Sequence, residues 1–244
     1  MTDLLTGTGH GPVFEAATVV LLRDASDGME CLMLRKTQGQ SFGGLWVFPG
    51  GRVEAVDGVG FEGARNAAVR EAEEETKLLL DAGELVPFAH WEPPPEAPRR
   101  YNTWFFVAAL PDGASEVIVD GGEIGDHVWT GPGAALDSQV RGEIDLLPPT
   151  WMSLHGLAGY ADVATAVAAK AGEPVQRYST RMFTDEAGSL VAVWSPDAAY
   201  PAPDDAEPRP LDTPGNRNRL YMDPAGWRYE QHGQVEQHGQ EVQG

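Results

Sequence analysis

REAEEETKL, residues 70–78, decides how the rest of the chain is read. At 100° per residue, Glu74 and Glu75 lie three and four positions after Glu71 and share its helical face, while Glu73 points almost to the other side. The helix is expected from about Glu62 to Leu80, a stretch with no Gly after Gly63, no Pro, and mostly Ala, Glu, Arg and Leu. Three carboxylates therefore converge. Like charges crowded in this way are destabilising by about a few tenths of a kcal/mol per exposed pair, and by more when buried, unless a cation holds them. An acidic helical stretch is usually a solvated face. Hard cations want oxygen ligands, however, so Glu71, Glu74 and Glu75 are also a candidate magnesium or manganese site.

The residues upstream favour the metal. FPGG, Phe48 to Gly51, ends an expected strand (LWVF, 45–48) and opens a Gly-rich loop, 50–61, where backbone can approach a metal or phosphate closely. Glu62 precedes Arg70 with seven residues between them, and Arg70, Glu71, Ala72, Glu74, Glu75 and Leu78 follow in register. In this the sequence resembles the Nudix hydrolases, whose box runs Gly, five residues, Glu, seven residues, Arg-Glu-apolar-x-Glu-Glu-x-Gly-apolar. The chain departs from that box twice. Ten residues separate Gly51 from Glu62, an insertion of about five, and Lys77 stands where the last glycine is expected. A lysine suits a helix interior better than a left-handed cap, so the helix is expected to continue through Lys77 to at least Leu79 and to stop near Asp81 to Gly83.

The resemblance implies an α/β (α+β) fold, a mixed β-sheet sandwiched between helices. It also implies Mg2+-dependent (or Mn2+-dependent) hydrolysis of a nucleoside diphosphate linked to another moiety. Glu71, Glu74, Glu75 and the Gly51 carbonyl would hold the metal, and Glu54 matches an acidic position of the motif. Gly50 and Gly51 would lie against the substrate. Arg70, counted with the catalytic set, would pair with Glu62 to orient the loop on the helix. A homodimer is compatible with the resemblance. A non-catalytic nucleotide sensor on the same fold is the alternative of a different class, and the intact acidic trio argues against it.

Composition narrows the partners. Lys and Arg total 17 against 37 Asp and Glu, and the net charge of -20 argues against binding a nucleic-acid backbone or an anionic membrane. An anionic substrate then needs local cations. Arg35, at the end of the second expected strand, is the candidate phosphate clamp, because a guanidinium donates two parallel hydrogen bonds. The chain has no apolar run near the ~18 residues of a membrane span. Cys31 is the single cysteine, which excludes an intrachain disulfide framework, and residues 1–12 lack signal-peptide features, so a cytoplasmic location is expected.

Strands are expected at 16–23, 30–36, 84–90, 101–110 and 116–119, and helices at about 132–140, 149–158 and 160–171. The expected domain is 12–172, followed by a β extension at 173–231 packed on the core and a disordered tail at 232–244. His232 and His238 in that tail are expected to be solvated.

For the substrate, Arg35, Gly44 and FPGG fall at the spacings of the coenzyme A diphosphatases, while Lys36 and Gln40 replace the Ser and second Arg of that signature. The long box loop and the C-terminal extension also look like that branch, which implies coenzyme A or acyl-CoA, with ADP-ribose or a dinucleotide as the alternative. In RRYNTWFFVAALP, Arg100 and Thr103 are expected to face the ligand, Trp104 and Phe106 the core, and Tyr101 and Phe105 are stacking candidates. Glu123 is a candidate late carboxylate near the metal.

Overall fold

The computed structural model describes residues 12–39, 42–114, 116–119, 121–201 and 209–231, and the backbone of 234–237. The chain divides into two units, one of Phe14–Trp91 with Tyr101–Arg177, the other containing Glu92–Arg100 and the residues from Tyr178.

The first unit is built on a sheet. Strands β1 (Val13–Ala25) and β2 (Gly28–Lys36) form an antiparallel hairpin through Ala25↔Gly28. The short strands β3 (Trp46–Val47) and β4 (Gly50–Arg52) pair with β2 and β1, respectively. β5 (Val86–Glu92) and β6 (Arg100–Ala109) are antiparallel, and β7 (Ile124–Thr130) pairs with β2. The strand order is β3-β2-β1-β6-β5. β1 and β6 run parallel: Phe14 meets Tyr101 at one end, and the Leu110 N–H donates to the Leu22 carbonyl at the other. The sheet is therefore mixed, as expected.

Helix α1 (Gly60–Thr76) lies on one face, where Ala17, Val19, Leu21, Leu32, Leu34, Phe106 and Ala108 form the core with Ala64, Ala67, Ala68 and Ala72. That alanine stripe has the 3.6-residue period, and its small side chains let the helix lie close to the strands. Trp104 and Phe106 point to this side, as their alternation predicts. Helices α2 (Pro132–Val140), α3 (Pro148–Leu157) and α4 (Val163–Gly172) follow; Pro stands in the first turn of α2 and α3, where its missing N–H costs nothing, and the Asp162 carboxylate caps α4 by accepting from Thr165 N–H. No helix among the described residues is long and apolar enough to cross a membrane.

Three expectations fail here. Residues 116–119 are not a strand; the Ile118 N–H is spent on the Thr76 carbonyl at the end of α1, while Val117 and Val119 pack on the core. β4 lies within the expected loop 50–61; it is three residues long and is completed by pairing with β1, while β7, in a segment with no expected element, pairs with β2. The helix also stops early. Lys77 has φ 61° and ψ 16°, with its N–H donating to the Glu73 carbonyl. The left-handed backbone costs a lysine roughly 1–2 kcal/mol. Turning the chain there buries Leu78 completely, worth about 1.5–3 kcal/mol, and gives Leu78 N–H and the Thr76 carbonyl their partners. Burial wins. Beyond it, Asp81 caps the 3-10 turn Ala82–Glu84 instead of ending α1.

β8 (Gln176–Ser179) carries the chain from the first unit into the second. There β9 (Arg181–Thr184), β10 (Leu190–Val193), β11 (Asn218–Asp223), β12 (Gly226–Gln231) and β13 (Gln234–Gln237) form an antiparallel meander. β13 lies within the tail expected to be disordered; His232, His238 and the rest of that tail lie outside the described residues, as does Gln40. The Arg219 guanidinium is buried against Asp197, whose carboxylate also accepts the N–H groups of Asn218 and Ala199. Four donors on one carboxylate outweigh its burial and hold its pKa below the usual range.

Candidate active site

The acidic trio is graded by burial. Glu75 continues the alanine stripe, three positions after Ala72, and is 4% exposed. Glu71 is partly buried, and the Glu74 side chain is 59% exposed. β4 runs beside them because it pairs with β1 through Ala17↔Gly51 and Thr18↔Gly50. A Cβ on Gly51 would stand 2.3 Å from Glu71 Oε1, and one on Gly50 would stand 2.4 Å from the Ala17 carbonyl. Both glycines are demanded by close approach, which is the physical content of the FPGG motif.

Each oxygen of Glu75 holds a donor. Lys36 Nζ lies 2.8 Å from Oε1, and the Gly50 N–H donates to Oε2 at 3.0 Å. Burial pushes the Glu75 carboxyl up to about 7, although Lys36 pulls it back. Burial alone would lower the Lys36 ammonium, yet Glu75 and Glu123 outweigh it and raise the pKa above its ordinary value. The lysine is thus a persistent cation at the end of β2, and Glu123 Oε1 accepts a second bond from it at 2.8 Å. Glu71 is also raised, by burial first, with Arg70 opposing.

Arg70 is the second cation. Its Nε and Nη2 meet the two oxygens of Asp57 at 2.9 Å each, Nη2 also reaches the Arg52 carbonyl, and Nη1 donates to Glu71 and Glu74 at 3.0 and 3.1 Å. The expected Arg70–Glu62 pair does not form. Eight residues of helix separate the two by about 12 Å, and Glu62 is exposed in the first turn. Asp57, from the lengthened loop between Gly51 and Glu62, takes that place.

Among the described residues no three His, Cys, Asp or Glu side chains already stand together as metal ligands. The donors nevertheless fit a hard cation: they are all oxygen, and the two most buried carboxylates are held by cations.

The other expected residues are scattered. Arg35 is exposed, while its neighbour Lys36 extends from the same strand to α1. Gly44, with φ 86°, closes the loop after β2 through its N–H to the Lys36 carbonyl. Glu54 is exposed, three residues after Gly51. Arg100 and Thr103 cannot face one ligand from one side of β6, because residues three apart alternate to opposite faces; Arg100 falls in the second unit, and Thr103 donates to the Tyr101 carbonyl. Phe105 is buried against Phe88 and Trp91, which removes it from stacking, whereas Tyr101 lies partly exposed beside Phe14 and Phe42. Lys36 and Asp57 are the residues that sequence reasoning missed. Lys36 had a signal, since it shares the parity of Leu32 and Leu34 on β2; Asp57, within an irregular loop, had none.

The NUDIX domain model matches residues 13–148, more than half of the chain. None of the curated proteins matches it. Among solved structures, a NUDIX hydrolase from Alicyclobacillus acidocaldarius is 21% identical with a TM-score of 0.61, over 66% of this chain and 97% of that one. A MutT NUDIX hydrolase from Burkholderia pseudomallei is 17% identical with a TM-score of 0.44, over 59% and 98%. The NUDIX domain of Shewanella oneidensis NrtR, in complex with ADP ribose, is 14% identical with a TM-score of 0.46, over 59% and 86%.

Proposed function

The chain belongs to the NUDIX domain family and is a hydrolase of pyrophosphate bonds, and from that premise we propose that it cleaves the diphosphate of a nucleoside diphosphate linked to another moiety. Glu71, Glu74, Glu75 and the Gly51 carbonyl would hold Mg2+ or Mn2+. When bound, the cation neutralises charge on the non-bridging oxygens and lowers the pKa of the attacking water. The chain's own residues prepare the site. Asp57 fixes Arg70, Arg70 orients Glu71 and Glu74, and the two glycines leave room for backbone to meet the ligand.

The observation that carries this reading is the contact of Gly50 and Gly51 with Glu75 and Glu71, which brings the motif's loop and its acidic helix together. Within the substrate class, the spacing of Arg35, Gly44 and FPGG favours coenzyme A or acyl-CoA, with Arg35 as phosphate clamp and Thr103 as a further contact. Incubation with a panel of nucleotide diphosphates and Mg2+, with products identified by mass, tests both levels. Coenzyme A is expected to give 3′,5′-ADP and 4′-phosphopantetheine. A larger kcat/KM for ADP-ribose or a dinucleotide would remove the coenzyme A assignment, and no cleavage of any diphosphate would remove the proposed activity.

A further inference from the structure

The two cations of the acidic cluster are held in different ways. Arg70 is anchored outside the trio, by both oxygens of Asp57 and by the Arg52 carbonyl. Lys36 is held by carboxylates: its Nζ donates at 2.8 Å to Glu75 and at 2.8 Å to Glu123. Its side chain is 8% exposed, Glu75's is 5% exposed, and Glu123's is 55% exposed. The ammonium therefore bridges an inner carboxylate and an outer one. An ammonium is a compact charge on a flexible stem, which can shift between two acceptors without rebuilding the backbone.

A divalent cation on Glu75, as the proposed function requires, would share that carboxylate with a buried positive charge, and in a poorly solvated place the two repel strongly. We propose that Lys36 is a resident counter-cation, which neutralises Glu75 in the metal-free protein and passes to Glu123 when a divalent cation takes Glu75. Metal uptake is then an exchange of cations on Glu75, and Lys36 and Glu123 set its affinity from opposite sides. This inference rests on the proposed function.

Calorimetric titration of Mg2+ into EDTA-treated, dialysed protein at about pH 9, where carboxylates are ionised, tests it. Lys36→Gln is expected to bind Mg2+ about tenfold more tightly than wild type, because the repelling charge is gone. Lys36→Arg, with the charge kept, is expected to stay near wild type. Glu123→Gln is expected to weaken binding several-fold in the wild-type background and to have no effect in the Lys36→Gln background. Tighter binding by Lys36→Gln together with that non-additivity supports the exchange. Lys36→Gln binding no tighter than wild type overturns it, as does an equal Glu123→Gln penalty in both backgrounds. Should the Lys36 variants not fold, unchanged or tighter binding by Glu123→Gln alone overturns it. Wild-type protein that takes up no Mg2+ identifies the proposed function as the failure, and the inference falls with it.

Discussion

Asp57 and Arg70 meet through two parallel hydrogen bonds of 2.9 Å, with the Asp57 side chain 3% exposed and that of Arg70 20% exposed. This pair ties the lengthened loop to the acidic helix and leaves one guanidinium nitrogen for Glu71 and Glu74. The Arg70 bonds hold the Asp57 carboxyl below the usual carboxylate range.

Asp57→Ala is expected to cost about 2–4 kcal/mol of stability, because it leaves a partly buried guanidinium without its bidentate partner. Urea denaturation in EDTA measures this, and a loss under about 0.5 kcal/mol would be that of an ordinary surface site. The pH dependence has a definite sign. A depressed folded pKa contributes stability above the unfolded value of 3.8 and loses it as pH falls through the folded value, so the gap between wild type and Asp57→Asn should persist down to 3.8 and close at more acid pH.

Glu75→Gln is expected to abolish turnover with the fold intact, since it removes a ligand charge and keeps the shape; Glu74→Gln should do the same. Wild-type rates at saturating Mg2+ in either variant would remove the metal assignment. In EDTA, Glu75 adds a second signature. Its folded pKa of about 7 stands above the unfolded 4.5, so its contribution is full below 4.5 and is lost as pH rises through about 7. Glu75→Gln should flatten that decline in stability, which thermal melts across the interval would show.

Gly51→Ala puts a methyl group where the Glu71 carboxylate now lies, 2.3 Å from Oε1. Either Glu71 or β4 must move, at a cost of about 1–3 kcal/mol. Because Glu71 is a proposed ligand, Mg2+ affinity should fall along with stability. Unchanged affinity in the calorimeter would show that Glu71 does not need its present position to bind.

In the second unit, Arg219→Ala strands the buried Asp197 carboxylate, and about 3–5 kcal/mol should be lost. Hydrogen exchange is the suitable probe, since it reads this meander by itself: amides of Leu190–Val193 and Asn218–Asp223 should lose protection. Protection at the wild-type level would mean that the ion pair is dispensable to that unit.

Legibility in the sequence followed locality. The acidic helix, its register with FPGG and the two long strands of the hairpin were readable because periodicity and spacing are local properties. β4 was hidden, because Gly50 and Gly51 have low strand propensity and pair only when β1 is present to pair with. The partner of Arg70 was hidden for a related reason: the lengthened loop delivers Asp57 by its folded path, while the resemblance implied Glu62. On β6, strand parity separates Arg100 from Thr103, so the two side chains cannot share the face of Tyr101 and Phe105. Lys36 was visible as a departure from a signature, yet its ion pairs depend on where α1 lies across the sheet.

Lys77 shows a tertiary demand overriding a local preference, and it leaves strain that can be measured. Its φ of 61° disfavours any side chain with a Cβ, while the ammonium makes only an exposed bond to the Glu74 carbonyl at 3.1 Å. Lys77→Gly would relieve roughly 1–2 kcal/mol of backbone strain and add back part of it as unfolded-chain entropy. The variant is therefore expected to be more stable than wild type by about 0.5–1 kcal/mol, although it deletes a side chain and its hydrogen bond. Lys77→Ala, which keeps the Cβ and loses the ammonium, should gain nothing. Urea midpoints of the two variants separate the causes: a destabilised Lys77→Gly would mean that the lysine bond to the end of α1 outweighs the strain of the turn.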